Sequence, residues 1–225
     1  MIVYGRQPVR ELLAAGRRPA KRIWATKGAI GEFDGAELVD GDWLATRAGS
    51  DAHQGVAAET VGYPYVGAAE LLRDEAFLVA LDEVQDPQNL GAIARTAECA
   101  GVTGLIVPER RSAEVTPAAC KASAGAVEHL RIARVKNLAD FLGEAKAAGL
   151  WCYGAAAEGR PYDQVDYAGG LVLVLGAEGK GLRPRVAKAC DELVALPLRG
   201  RIASLNVSAA AAALVYGILQ EKTRT

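Results

Sequence analysis

The sequence is poor in the residues that metal sites and disulfide frameworks require. Its 225 residues contain four cysteines and two histidines, and no two cysteines have CxxC spacing. Structural zinc needs closely spaced ligands, so we expect no metal site. A catalytic cysteine–histidine pair is a less favoured alternative, since only His53 and His129 could serve. We expect the four cysteines to be buried, reduced thiols: Cys99, Cys120, Cys152 and Cys190.

The sequence also lacks long hydrophobic runs and a targeting signal. Apolar runs such as residues 171–175 are far shorter than the about 20 residues that cross a bilayer. The first residues, MIVYGRQPVREL, do not show the basic and then apolar pattern of a secretion signal. We therefore expect a cytoplasmic protein with no membrane association.

No overall excess of positive charge is present either. The chain has 26 Lys and Arg residues against 27 Asp and Glu residues, a formal net charge of −1, so it is not globally built to bind nucleic acid. The charges are uneven, because residues 1–27 carry seven basic residues and a single acid, Glu11. Such a local basic face can bind phosphates. The alternative is an ordinary solvated helix face.

The hydrophobic pattern divides the chain into two regions. Residues 1–61 predict a small α/β unit with a helix that ends at Gly16, and GYPYVG (62–67) has the composition of a linker. From about residue 68, short apolar runs alternate with helical patterns, which is typical of a parallel sheet with helices between its strands. We therefore expect an α/β fold with domains at 1–64 and 76–225, joined by a linker and first helix at 65–75.

Ligands bind at the carboxyl ends of strands in open parallel sheets, and three loops there carry polar residues. The first is LDEVQDPQNLGAIARTAECAG (81–101), in which Asn89 is placed to cap the helix that carries Arg95. An arginine among small residues needs a partner for its charge. That partner is either Glu98, in a surface pair worth about 0.2–0.5 kcal/mol, or a phosphate or hydroxyl of a ligand.

The second loop, LVLVLGAEGKGL (171–182), places three glycines around Glu178 and Lys180. Glycines let main-chain amides approach a ligand closely. The loop is not a P-loop, because Lys180 is followed by Gly181 and not by Ser or Thr. A carboxylate would also repel phosphate, so a cationic or hydroxyl-rich ligand fits better. A nucleotide-hydrolysing enzyme is therefore a disfavoured alternative.

The third loop lies in ALPLRGRIASLNVSAAAAALVYGILQ (195–220) and joins a strand to an alanine-rich helix. Ser204, Asn206 and Ser208 precede the alanines, and helix capping explains one of these three polar residues but hardly all of them. The alanines either serve as strong helix formers or form a thin surface on which another helix can pack.

Together and in this order, the three loops resemble the three motifs of the SpoU family of RNA ribose 2′-O-methyltransferases, in the SPOUT superfamily. The first motif is matched by Asn89 and Arg95. The second is matched by Gly176, Glu178, Gly179 and Leu182, and the third by Pro197, Gly200, Ser204, Leu205, Asn206, Val207 and Ser208. The stretch SAGA (123–126) also matches one that the family carries between its first and second motifs.

The N-terminal part resembles the family's L30e-like substrate-binding domain through VYGRQPV (3–9) and HQGV (53–56). Its acidic middle segment, GEFDGAELVDGDW (31–43), makes the unit shorter than the family pattern, which leaves the RNA target open. In layout the chain is most similar to members that methylate a guanosine ribose in large-subunit (23S) ribosomal RNA. Transfer RNA is the alternative substrate, and a non-catalytic RNA-binding protein with this fold is the alternative of another class.

The resemblance implies a C-terminal trefoil knot, S-adenosylmethionine as the cofactor, and a homodimer that acts on RNA. The residues that it implies for catalysis are Arg95, Asn89, Glu178, Ser204 and Asn206. Those that it implies for cofactor binding are Gly176, Ala177, Gly181, Leu196, Leu205 and Ser208. The residues that we expect to contact RNA are Arg6, Arg10, Arg17, Arg18, Arg22, Arg199 and Arg201.

Overall fold

The computed structural model of the protein describes residues 1–202 and 204–224, without the side chain of Arg224. Ala203, within the third motif, and Thr225, at the end of the predicted second domain, lie outside the described residues. The described chain is built on two β-sheets, one of four strands and one of six.

The four-stranded sheet belongs to a small N-terminal unit. Its elements are β1 (Ile2–Tyr4), α1 (Arg6–Ala15), β2 (Ala20–Ala25), β3 (Glu37–Leu38), α2 (Gly41–Ala48) and β4 (Val56–Thr60). The strands lie in the order β1–β4–β2–β3, and of these pairs only β2–β3 is parallel. Helix α1 is amphipathic, buries Pro8, Val9 and Leu12, and ends before Gly16 as predicted.

The six-stranded sheet and its helices form the rest of the molecule. Their bounds are β5 (Phe77–Asp82), α3 (Pro87–Cys99), β6 (Gly104–Pro108), α4 (Pro117–Ala122), β7 (Ile132–Val135), α5 (Leu138–Ala147), β8 (Trp151–Pro161), β9 (Leu171–Gly176), α6 (Pro184–Ala189), β10 (Glu192–Ala195) and α7 (Val207–Arg224). Every strand pair in this sheet is parallel. The predicted parallel α/β fold is therefore confirmed, whereas the trefoil knot stays a prediction.

The strand order positions the functional loops. The order is β10–β8–β9–β5–β6–β7. After β5 the chain adds β6 and β7 on one side of it, and then β8, β9 and β10 on the other side. Such a reversal opens a crevice at the carboxyl ends of the two strands that flank it. The register places Asp82, the last residue of β5, beside Gly176, the last residue of β9. The first and second motif loops therefore begin side by side.

The segment predicted to be a linker is firmly packed. Tyr63 is buried and its hydroxyl donates to main-chain carbonyls of the second region, with 3.0 Å to Val127 O and 2.5 Å to Leu130 O. Val66 forms a parallel bridge with Ala133, a residue of the edge strand β7. Both tyrosines of this segment, Tyr63 and Tyr65, bind residues far away in the chain, and its assignment as a linker stays a prediction. The predicted first helix at 65–75 is a short 3-10 turn, Ala68–Leu71. The domain boundaries themselves stay a prediction.

The cysteine prediction is wrong for two of the four residues. Cys120 and Cys152 are buried, but Cys190 is only partly buried and Cys99, at the end of α3, is exposed. All four are free thiols. Burial raises the pKa of Cys120 to about 11 and the pKa values of Cys152 and Cys190 to about 12, so these three are poor nucleophiles at neutral pH.

Within residues 1–202 and 204–224, no helix is both long and apolar enough to cross a bilayer. In the same residues, no group of three or more His, Cys, Asp or Glu side chains is placed to hold a metal ion.

Candidate active site

The three motif loops meet at one carboxylate oxygen. Glu178 Oε1 accepts hydrogen bonds from Asn89 Nδ2 at 3.0 Å and from Asn206 Nδ2 at 2.6 Å. Asn206 Nδ2 also lies 3.1 Å from Asn89 Oδ1, and the Val207 amide reaches Glu178 Oε1 at 3.4 Å. Asn89, which is 89 and 117 positions from the other two residues, thus joins them in one cluster, the Glu178 cluster, defined as Glu178, Asn89 and Asn206.

Asn89 belongs to the cluster because another residue caps its helix. Asp86 is the N-cap of α3 and accepts the Gln88 amide at 2.8 Å, and Pro87 occupies the first turn. The prediction that Asn89 is the cap is therefore wrong, since Asp86 and Pro87 start the helix three residues earlier. Asn89 lies in the first turn, 8% exposed, and its amide is left to bind Glu178.

Asn206 serves the helix and the cluster with different atoms. Its Oδ1 accepts from the Ser208 amide at 2.8 Å and from the Ser208 hydroxyl at 2.6 Å, which caps the start of α7. Its Nδ2 faces Glu178. One of the three polar residues is thus the cap, as predicted, and the same side chain belongs to the site. Ser208 bonds to Asn206, whereas Ser204 and Leu205 are exposed beside the cavity described next.

A cavity of about 470 Å³ lies beside the cluster. Five of the six residues implied for cofactor binding line it: Gly176, Ala177, Gly181, Leu196 and Leu205. Glu178 and Ser204 also line it, and Ser208 does not. The walls are mainly aliphatic side chains and main chain, and the charged groups of Glu178, Lys180 and Glu158 lie on it. A volume of this size suits a nucleoside-sized ligand.

The loop on the cavity is a tight turn held from behind. A Cβ at Gly176 would overlap the carbonyl carbon of Gly181, so only glycine permits the close approach of these two main-chain segments. The Gly181 amide closes the turn on Ala177 O at 2.9 Å. Behind it, the fully buried Asp82 accepts from the Arg183 amide at 2.8 Å and from its Nε at 2.7 Å. The turn that carries Glu178 is therefore fixed at its base.

Arg95 stands apart from the cluster. It is exposed on α3, about 9 Å further along the helix axis than Asn89 at 1.5 Å per residue. No described residue forms a hydrogen bond or ion pair with its guanidinium, so the alternative pairing with Glu98 is not present. One turn earlier, Gly91 packs against Ala119 and Ala122 of α4. The guanidinium is therefore free to bind a group from outside the described chain.

Two family models match the sequence. The model described as the SpoU rRNA Methylase family matches residues 76–216, and the model described as RNA 2'-O ribose methyltransferase substrate binding matches residues 2–66. The chain belongs to the SpoU rRNA methylase family. The predicted family and the predicted enzyme class, an RNA 2′-O-ribose methyltransferase, are confirmed.

Several SpoU relatives are similar over most of the chain. The 23S rRNA (guanosine-2'-O-)-methyltransferase RlmB of Pseudomonas aeruginosa is 37% identical over 246 residues, which covers 98% of this chain and 96% of the relative. The putative TrmH family tRNA/rRNA methyltransferase YacO of Bacillus subtilis is 42% identical over 177 residues, 76% of this chain and 71% of the relative. The structure of AdoMet-bound rRNA methyltransferase from Sinorhizobium meliloti is 27% identical, with a TM-score of 0.83, and covers 97% of this chain and 86% of that chain.

The SpoU substrate-binding region contains five of the seven arginines that we expected to contact RNA. Arg6, Arg10 and Arg22 are on its surface, where Arg6 and Arg10 both pair with Glu32, at 3.2 and 2.5 Å. Arg17 and Arg18 are different, because both point into the contact with the methyltransferase region, and Arg18 is 2% exposed. The RNA-contact prediction is therefore corrected for Arg18, which is buried, and stays a prediction for Arg17, which is partly exposed. Arg199 and Arg201 are exposed on the loop before Ser204.

Sequence reasoning missed one wall of the SpoU cavity. Residues 155–158, in the middle of β8, line it, as do Leu193, Ala210 and Leu214. The place of β8 beside β9 depends on the strand order, which no local sequence pattern encodes. Ala210 gives the alanine run of α7 a further role, since a small side chain there leaves room in the cavity.

Proposed function

We propose that this SpoU enzyme methylates the ribose 2′-hydroxyl of a guanosine in 23S ribosomal RNA, with S-adenosylmethionine as the methyl donor. The observation that carries the proposal is the convergence of Asn89, Glu178 and Asn206 on the edge of a nucleoside-sized cavity. The RNA target is supported by the relative from Pseudomonas aeruginosa, whose similarity extends over both regions of the chain.

The cavity fits S-adenosylmethionine, which supplies a methyl group on a positively charged sulfonium when bound. Leu196, Leu205 and Leu214 provide apolar walls for an adenine ring, and the main chain of the 176–181 turn provides donors and acceptors. Glu178 provides negative charge. All the donors of the cluster reach its Oε1, and Oε2 accepts from no described residue, so Oε2 is available to a cation or a hydroxyl.

The protein's main task is to prepare a weak nucleophile, the ribose hydroxyl. A guanidinium is a poor base at neutral pH, so Arg95 acts as a positioner and stabilises the developing alkoxide. In this proposal the proton of the ribose hydroxyl passes to the substrate phosphate that Arg95 holds. Asn89, Glu178, Asn206 and Ser204 orient the ribose, and orientation alone can supply several orders of magnitude in rate.

The active enzyme is a homodimer in this proposal. Helix α7 exposes a stripe of Ala209, Ala213 and Tyr216 at helical spacing, with Tyr216 48% exposed. Leu198 and Ile202, on the loop next to the cavity, are also exposed apolar residues. Burial of these surfaces against a second copy would remove them from water.

RNA contacts in this proposal come from both regions. The N-terminal unit contributes Arg6, Arg10 and Arg22, and the loop beside the cavity contributes Arg199 and Arg201. A cytoplasmic location follows from the ribosomal substrate. Transfer RNA is the second candidate substrate, because relatives such as the one from Bacillus subtilis are named for tRNA and rRNA together.

Arg95→Ala tests the assignment. We expect turnover to fall by about 10²–10³-fold, since the charge stabilisation of the alkoxide is lost, while the Kd for S-adenosylmethionine stays near the wild-type value. Methyl transfer to 23S rRNA and to tRNA is measured with labelled S-adenosylmethionine, and binding by calorimetry. Arg73→Ala is the matched control, because Arg73 is exposed and its guanidinium donates to the main-chain oxygen of Glu70.

Loss of cofactor binding in folded Arg95→Ala protein would contradict the assignment. The RNA target has its own test, which is to map 2′-O-methylation in RNA from a strain that lacks the protein. A missing methyl group in 23S rRNA supports the proposal, and a missing methyl group in tRNA supports the second candidate.

A further inference from the structure

The contact between the two regions is organised around a buried carboxylate, Glu128. Arg18 donates to it through Nε at 2.9 Å and through Nη2 at 2.5 Å, and both side chains are 1% exposed. The same guanidinium donates from Nη1 to Val61 O at 3.0 Å. Burial lowers the pKa of Arg18, but the hydrogen bonds and charge of Glu128 more than offset this, so the pKa of Arg18 is raised.

A second arginine binds the main chain around that carboxylate. Arg17 Nη1 donates to Leu130 O at 2.6 Å and contacts Glu128 O at 3.3 Å. The Tyr63 hydroxyl also reaches Leu130 O, at 2.5 Å. We call Arg17, Arg18, Tyr63 and Glu128 the junction cluster.

Apolar packing surrounds the junction cluster. Val9 and Leu12 of α1 belong to the same buried hydrophobic cluster as Ala119, Cys120 and Val127 of the second region. Gly125, in the SAGA stretch, has φ of +90°, and a Cβ there would lie 2.6 Å from Glu11 Cβ. Glycine at 125 therefore permits α1 to approach the second region closely. At the rim, His129 Nε2 lies 2.7 Å from Glu11 Oε2.

The junction also joins the RNA-contact side of the N-terminal unit to the helix that carries Arg95. Gln54 Oε1 accepts from the Arg6 amide at 3.2 Å and from Lys121 Nζ of α4 at 2.8 Å. Helix α4 in turn packs on α3 at Gly91, one turn before Arg95. A hydrogen-bonded bridge through Gln54 and Lys121 therefore connects Arg6 to α4, and the close packing of α4 on α3 continues this connection to the helix that carries Arg95.

A buried ion pair is a selective way to dock two units. Its net contribution to stability is small, because desolvation offsets the attraction, but any orientation that separates the partners leaves a buried, unpaired charge. An apolar contact alone would tolerate sliding. The bidentate Arg18–Glu128 pair therefore favours one relative orientation of the two regions.

We propose that the junction cluster fixes the distance between the RNA-contact face at Arg6 and the methyl-transfer site, so that Arg17, Arg18 and Glu128 are positioning residues for the RNA substrate. This inference rests on the proposed function. The enzyme selects RNA that presents its contact surface and its target ribose at that one separation, because two contacts on a rigid body bind with a high effective concentration.

The first test replaces both buried charges with neutral side chains of similar size, in Arg18→Gln/Glu128→Gln. Without the ion pair the two regions no longer keep one orientation, so RNA bound at one contact no longer finds the other contact at a high effective concentration. We therefore expect the KM for long RNA to rise about tenfold. We expect kcat at saturating RNA and the Kd for S-adenosylmethionine to stay at wild-type values. A role confined to stability would leave the KM of the folded variant unchanged, and that result would overturn the proposal.

The second test joins the two regions covalently. Glu11→Cys and His129→Cys, at the rim of the junction, are bridged by a short bis-maleimide in a Cys99→Ser background, which removes the exposed thiol. We expect the bridged and unbridged forms to methylate RNA with equal kcat and KM. We also expect the bridge to restore the KM of the Arg18→Gln/Glu128→Gln variant.

Loss of methylation on bridging would overturn the proposal, because it would mean that the two regions must move. If the doubly neutral variant does not fold, the bridge in the otherwise wild-type protein decides alone. Failure of the proposed function has a different signature, since the wild-type protein would then bind no S-adenosylmethionine and methylate no RNA.

Discussion

Two glutamates each hold together parts of the chain that are far apart in sequence. Glu128 lies between the two regions, 1% exposed, and a guanidinium neutralises it through both carboxylate oxygens. Glu178 lies exposed at the cavity, and only neutral amide groups bind it, all through one oxygen. Both oxygens of Glu128 accept from Arg18. Glu178 has no cationic partner among the described residues, and its Oε2 accepts no hydrogen bond from them. The buried carboxylate is therefore satisfied within the protein, whereas the exposed one can still accept a hydrogen bond from a ligand.

The largest expected effect is on stability, at the buried glutamate. Glu128→Gln leaves the Arg18 charge buried and unpaired, and we expect the free energy of unfolding to fall by about 3–5 kcal/mol. Urea denaturation followed by circular dichroism measures it. Glu178→Gln should change the same free energy by only about 0.5 kcal/mol or less, as exposed substitutions usually do. Equal losses at the two positions would contradict the comparison.

The next effect is on catalysis, at the exposed glutamate. Glu178→Gln keeps an oxygen for Asn89 and Asn206 but removes the negative charge, and we expect kcat/KM to fall by about 10²-fold, or about 2.7 kcal/mol in the barrier. Steady-state methylation of RNA measures it. Glu144→Gln, which neutralises an exposed carboxylate on α5, is the matched control. An unchanged kcat/KM at Glu178→Gln would remove this residue from the site.

The smallest effect concerns alkaline pH at the junction cluster. Burial raises the pKa of Tyr63 to about 12, whereas an unfolded tyrosine has a pKa of about 10. The folded state therefore holds this proton more tightly, and the stability that results is complete below pH about 10 and is lost as the pH rises toward about 12. We expect the free energy of unfolding to fall through this window.

Tyr63→Phe isolates that contribution, because buried Tyr153, with a pKa raised to about 12, also titrates there. The variant should lose about 1 kcal/mol at neutral pH, through the missing hydrogen bonds, and should show a shallower alkaline decline. Glu178→Gln should keep the wild-type slope. Identical slopes for wild type and Tyr63→Phe would mean that folding does not raise the pKa of Tyr63, and would contradict this prediction.

Much of the site could be predicted from the sequence because its residues follow buried strands. Glu178 and Asn206 stand in loops after apolar runs, and parallel sheets gather such loops at one edge. The cap of α3 was predicted three residues too late, although Asp86 followed by Pro87 is the stronger helix start. Here the local signal was present in the sequence and was misread.

Other features could not be predicted, because their partners lie far away in the chain. Arg17 and Arg18 have the composition of a basic face, and only the fold shows that Glu128, 110 residues after Arg18, takes that charge. Tyr63 sits between a glycine and a proline, and its hydroxyl partners are more than 60 residues further on. A sequence shows where the arginines are, but not whether an arginine binds RNA or another residue of the same protein.

The pairing of Val66 with Ala133 has a consequence for aggregation. Strand β7 is the outer strand of the six-stranded sheet, and an open strand edge is a template for pairing with other chains. The Val66 amide donates to Ile132 O at 3.0 Å and so occupies part of that edge. A chain that begins at residue 76 lacks this cover, so the segment that joins the two regions also shields the outer strand from pairing with other copies.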